Sequence, residues 1–159
     1  MVFDKLLLIV RMIRPTAALL ERWGAPLTDL FIRAVLFRVF FFAGTAKLGN
    51  WSGTLELFEY EYQVPFLPPM LAAYMGTAAE LACSVLLLVG LAARLATLPL
   101  IGITLTIQFV LGAANPVYNQ LDHFLWLALL LAVLTRGPGV LSLDAWLVRK
   151  SGFDVSIRQ

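Results

Sequence analysis

Two ionisable residues, Arg38 and Glu80, sit deep inside apolar stretches of the chain. A charge at membrane depth costs several kcal/mol unless it finds a partner, so its presence points to an ion pair or to work on a proton or a ligand. Helical rise puts Arg38 about 12 Å and Glu80 about 16 Å from the same membrane surface, a difference that a guanidinium can span. We expect the two to pair, either locking two helices together or serving a proton or a ligand. Thr45, Thr77 and Gln108 fall on the same kind of helical stripe and complete an expected intramembrane polar network. Ala34, Arg38, Phe41 and Thr45 share one face, as do Ala73, Gly76, Thr77, Glu80, Cys83 and Ser84, and again Thr97, Thr104, Gln108 and Gly112. Steps of three and four put such residues together, and small or hydroxylated side chains let helices approach closely in lipid.

Other polar residues read as anchors. Lys47 follows Arg38 by nine positions, which places it on the opposite side of an ideal helix, and we expect it to snorkel to the outer headgroups. Asp122 and His123 stand at the outer end of the last apolar stretch and read as outer-face residues anchored at the interface. Arg94 is expected to fix an inner turn. Cys83 reads as a small packing residue, and as the single cysteine it excludes an internal disulfide or a CxxC redox pair. The single histidine leaves no ligand pair for haem and no zinc cage within one chain, so no metal site is expected.

Four apolar stretches must position these residues: about 30–49, 67–91, 95–114 and 118–136. Each approaches the roughly 20 residues that cross a bilayer. With 60% hydrophobic residues in 159, the composition suits a membrane domain better than a soluble one. The expected fold is all-α, a four-transmembrane-helix bundle preceded by an N-terminal amphipathic interfacial helix. Residues 1–29 form the amphipathic segment, with Pro15 as a kink. Residues 30–148 form the membrane domain and 149–159 a cytoplasmic tail. The Leu6–Val10 apolar run is too short for a cleavable signal.

Charge orients the bundle. Lys5, Arg11, Arg14, Arg22, Arg33, Arg94, Arg136, Arg149, Lys150 and Arg158 flank one side, and Lys47 stands on the other with Glu56, Glu59, Glu61 and Asp122. Basic residues favour the cytoplasmic side, so both termini are expected there, in a bacterial inner membrane. The 50–66 segment then lies outside. Residues 52–63 read as a short acidic helix whose Trp51, Leu55, Phe58 and Tyr62 give it an apolar side.

These elements resemble the DoxX family of small bacterial four-helix membrane proteins. The resemblance rests on Arg38-Val39-Phe40-Phe41-Phe42-Ala43-Gly44-Thr45-Ala46-Lys47, on Val64-Pro65, and on Glu80. It continues through Gly90-Leu91-Ala92-Ala93-Arg94, His123 before Trp126, and the run from Gly137-Pro138-Gly139 to Ser142-Leu143-Asp144. It spans roughly 30–148. The resemblance implies a membrane protein of a redox-related setting: the family takes its name from a subunit of a thiosulfate:quinone oxidoreductase. Relatives are associated with thiol homeostasis and with metal-binding peptide systems. It transfers no catalytic residue and no cofactor.

Three functions stay open on the sequence. One is a non-catalytic membrane subunit that docks a redox enzyme or maturation factor. A second is a quinone-interacting oxidoreductase subunit using Arg38, Glu80 or His123 for proton transfer. The third is a small proton- or ion-coupled carrier, disfavoured by the lack of an inverted repeat or broken helix. The expected partners are the lipid bilayer and a protein of the same membrane complex. A homo-oligomer fits as well, and no nucleic acid is expected.

Overall fold

The structure, a computed structural model, describes residues 14–151. Every regular element among them is helical. Residues 14–19 are helical and pass through a π turn, Leu20–Gly24, directly into helix α1, Ala25–Gly49. Pro26 explains the wide turn. It has no N–H for the carbonyl four residues back, and its ring would crowd that carbonyl, while Ala25 N–H reaches Leu20 O instead. Helix α1 therefore grows without interruption from the upstream helix. Residues 1–13 of the expected amphipathic segment and residues 152–159 of the expected tail lie outside the described residues.

After α1 come α2 (Trp51–Glu56, continued by a π turn over Leu57–Tyr62), α3 (Pro69–Val89), α4 (Ala93–Ala114), α5 (Leu121–Arg136) and α6 (Leu143–Ser151). Helices α3 and α4 are long and apolar enough to cross a membrane. By the same measure α1 and α5 are not. α1 carries Arg33, Arg38 and Lys47, and α5 has 16 residues, about 24 Å of helix against a hydrocarbon core of about 30 Å.

The packing order is α1 on α3, α3 on α4 and α4 on α5, with α5 also touching α1. One apolar core gathers Leu36, Phe40, Leu87, Ala93, Ala96, Leu100, Leu130 and Val133 near the α3–α4 turn. A second joins Phe58 of the π turn to Ala72 and Ala73 of α3, with Trp51, Leu55, Tyr62 and Val64 packed on it. The segment after Asn50 is thus a folded cover, in keeping with its apolar spacing.

The turn between α3 and α4 is held by a clasp of distant residues. Arg33 is fully buried, and its Nη1 donates to Leu88 O at 2.7 Å while Nη2 donates to Leu141 O. A guanidinium on carbonyls freed at the end of α3 satisfies them and complements the helix dipole. Asp144 accepts from Ala92 N–H at 2.8 Å and Ala93 N–H at 3.1 Å, capping α4 from α6. Ala92 has no side-chain oxygen for that task, so the cap is borrowed from 52 residues away. Gly90, at φ 69°, admits this arrangement: a Cβ there would lie 2.5 Å from Ser142 Cβ and 2.7 Å from Arg33 Nη1.

Candidate functional site

At the opposite end from the clasp the helices part around a cavity of about 580 Å³. Its walls are mostly apolar, from Val39, Phe40 and Ala43 of α1 across to Ile103 and Ile107 of α4. Into them project Lys47, Glu80, His123 and Trp126, with Tyr62 and Tyr118 at one end. A second, open recess of about 670 Å³ lies on the outside of the α1–α2 corner, lined by Glu56, Tyr60 and Glu61. Lys47 and Tyr62 line both spaces, so they stand between them.

The ion pair at the centre is Lys47–Glu80. Lys47 Nζ lies 2.7 Å from both carboxylate oxygens of Glu80, whose side chain is 4% exposed. The expected Arg38–Glu80 pair does not form. Arg38 is exposed, with its guanidinium 5.2 Å from the centre of the Phe42 ring. The buried face of α1 runs Arg33, Leu36, Phe40 and Gly44, and Lys47 is the next step along it. Arg38 falls off that face, for the same nine-residue spacing that separates it from Lys47. Lys47 accordingly turns its flexible stem inward instead of snorkelling to headgroups.

Gly44 and Thr54 set the geometry. A Cβ at Gly44 would stand 2.8 Å from Leu81 Cγ and 3.3 Å from Glu80 Cβ, so α1 meets α3 at its barest position beside the carboxylate. Thr54 Oγ1 donates to Lys47 O and to Asn50 O, each at 3.0 Å, tying α2 to the last turn of α1. The backbone that carries the ammonium is thereby fixed by α2.

His123 is buried, with 8% of its surface exposed, rather than an interfacial anchor. Its Nδ1 lies 2.8 Å from Gln108 Oε1, and Gln108 Nε2 donates to Asn119 Oδ1. An amide whose N–H₂ is committed to Asn119 offers only its oxygen, so Nδ1 carries the proton and Nε2 is left for the cavity. The ring also packs edge-on to Trp126, with 5.0 Å between centroids. Gln108 lies in a π stretch of α4, Thr106–Leu111. Just before and within it, Thr104 Oγ1 donates to Leu100 O and Thr106 Oγ1 to Gly102 O, side-chain bonds that bend helices.

At the cavity's end Tyr118 donates its hydroxyl to Glu61, and the Tyr62 and Tyr118 rings meet edge to face at 5.8 Å. Burial raises both phenols above their ordinary range, and neighbouring Glu61 adds to the shift, so both stay protonated.

The remaining expected residues disperse. Thr77 is buried on α3 but its hydroxyl has no hydrogen-bond partner among the described residues, and it does not line the cavity. Thr45 donates to Phe42 O within its own helix. Asp122 is exposed in the first turn of α5. Arg94 reaches Thr135 O at 3.4 Å and so links the start of α4 to the end of α5 instead of closing its own turn. Of the expected network, Glu80 and Gln108 belong to the site, joined there by Lys47 and His123, which were expected as outer-face residues. Sequence reasoning missed the roles of Lys47, Tyr62 and Tyr118, and only the 33–36–40–44–47 periodicity could have signalled the first.

A family model described as DoxX matches residues 28–113, from the start of α1 to the end of α4, more than half the chain. The chain belongs to the DoxX family. Its two apolar spanning-length helices and family membership make it a membrane protein. Comparison with curated proteins and with solved structures returned no match. The DoxX match includes Lys47, Glu80 and Gln108 and stops short of Tyr118 and His123. No cluster of metal-ligating side chains occurs among the described residues.

Proposed function

We propose that this DoxX protein is a membrane subunit of a redox-related system that binds a lipid-soluble carbonyl compound of quinone type between its helices. The observation that carries this reading is the cavity itself. It falls in the size range of small-molecule sites, about 300–1,000 Å³, and sets a few polar groups in apolar walls. The residues fit a quinone headgroup: the Lys47 ammonium keeps an N–H beyond those on Glu80 and can donate to a ring oxygen, the unprotonated His123 Nε2 can accept from a hydroxyl of the reduced quinol form, and Phe40 and Trp126 supply aromatic walls. A bound quinone would bring reversible uptake of electrons and protons. The chain contributes position, a dry environment and hydrogen bonds.

In this reading α1, α3, α4 and α5 all cross the bilayer as a four-helix bundle in a bacterial inner membrane. The basic flanks support cytoplasmic termini, with α2 on the outer face. The short α5 and the charged α1 are accommodated by their burial against α4 and α3, since polar groups at depth are tolerated when they face the bundle interior.

The test is binding of a decyl-tailed benzoquinone to the protein in lipid nanodiscs, read by quenching of tryptophan emission. Saturable quenching is expected. Joint replacement Lys47→Met with Glu80→Gln, which removes both charges at once, should weaken binding about tenfold, or 1.4 kcal/mol. Non-saturable quenching that the replacements do not change would refute the quinone reading.

A further inference from the structure

Resting on the reading of the cavity as a binding site, we infer that its ligand enters from the hydrocarbon core, through a side portal between α3 and α4, and is a molecule with a flexible apolar tail that occupies the portal. The two helices are joined by the short Gly90–Ala92 turn and pack near it, through Leu87, Ala93, Ala96 and Leu100. Farther along they turn their buried faces elsewhere. α3 buries Thr77, Glu80 and Ser84, the face bearing the Lys47 pair toward α1. α4 buries Thr104, Gln108 and Leu111, the face that meets His123 of α5. The strips left facing one another are Met75, Gly76 and Ala79 on α3, and Pro99, Gly102 and Ile103 on α4.

All six of these residues line the cavity, yet Met75, Pro99 and Gly102 are also exposed on the protein surface. A residue can do both only where the wall is open. A Cβ built on Gly102 meets nothing within 4 Å, which marks the gap as space and not a packed seam. Gly102 is nine residues into α4, about 14 Å along it and close to the middle of a bilayer. None of these six residues carries a charge or a hydroxyl, and the nearest hydroxyl, Thr106 Oγ1, is already donated to Gly102 O. An aqueous solute would find no polar contact there, whereas an isoprenoid or acyl chain would exchange lipid neighbours for Met75, Pro99 and Ile103 at little cost. The polar groups of Lys47, Glu80 and His123 lie behind the rim, so a molecule entering head first leaves its tail between the helices.

Trp126 lines the cavity and reports on it. In a chain with Trp23, Trp51 and Trp146 replaced by Phe, reconstituted in phosphatidylcholine brominated midway along its acyl chains, Trp126 emission should be quenched. Gly102→Leu, which grows into open space, should relieve that quenching, while Gly49→Leu, which also has open space but lies far from the gap, should leave it unchanged. As a check that needs no tryptophan replacement, a photocrosslinking residue at position 107, inside the cavity, should capture phospholipid chains unless Gly102→Leu is present. Quenching and capture that Gly102→Leu does not alter, or that are missing altogether, would overturn the portal. Loss of quinone binding with quenching and capture intact would sink the quinone reading alone.

Discussion

Lys47 and Glu80 carry the strongest expectation at the scale of single residues. Removing one member of a buried pair leaves an uncompensated charge, at a cost of about 3–5 kcal/mol, while replacing both with neutral groups is often tolerated. Lys47→Met alone should therefore lower the thermal stability of the protein in detergent markedly. Glu80→Gln alone should do so less, since Lys47 is 20% exposed on its side chain and can reorient toward water. The double variant should recover most of the loss. Arg38→Leu should shift stability by no more than about 0.5 kcal/mol, as exposed positions generally do. A large loss for Arg38→Leu with none for Lys47→Met would restore the pairing that the structure replaces.

Helix contacts govern the next scale. Gly44 lets α1 approach α3 beside Glu80, so Gly44→Val should cost about 1–3 kcal/mol, the usual range for overpacking a close contact. Because the intruding atoms press on Leu81 and Glu80, the same variant should also weaken ligand binding at the Lys47 pair. Unchanged melting of Gly44→Val would show that the helices are not so close. At the other end, Asp144→Ala removes the borrowed cap of α4 and should cost about 0.5–2 kcal/mol. Asp144→Asn, which keeps an acceptor oxygen for one of the two N–H groups, should cost less. Calorimetry of the three proteins in one detergent ranks them, and equal stability of wild type and Asp144→Ala would refute the cap. The first contact lies midway along α3 and the second beyond its last turn, with no shared partner, so their effects should add.

Orientation belongs to the whole molecule. With the native thiol removed by Cys83→Ser, a cysteine at exposed Tyr60 should react with a membrane-impermeant maleimide on intact cells. One at exposed Lys150 should react only after the membrane is opened. The opposite pattern would invert the proposed topology. The acidic cover and the basic clasp make the two ends chemically distinct: Glu56, Glu59 and Glu61 surround the tyrosine end, and Arg33, Arg94 and Arg136 the other. A ligand that passes through the side portal would thus meet the bundle where neither set of charges lies.

Much of this architecture could be read directly from the residues. Apolar runs of spanning length announced the helices, because lipid demands that backbone polar groups be satisfied within each segment. Trp51, Leu55, Phe58 and Tyr62 announced the folded cover, because their spacing makes one apolar side. The family was legible in the motifs of α1, α3 and the α3–α4 turn. What linear spacing could not decide was rotation. Arg38 and Lys47 are both positive, both within reach in depth, and half a turn apart, so only the way α1 is turned toward α3 selects between them. That rotation is set by the bare face of Gly44 and by the burial of Arg33, Leu36 and Phe40. Likewise His123 and Gln108 are 15 residues apart on different helices, and Asp144 is 52 residues from the turn it caps. Such pairs exist only once the helices have docked, since periodicity fixes which residues share a helix face and tertiary packing alone decides which faces meet.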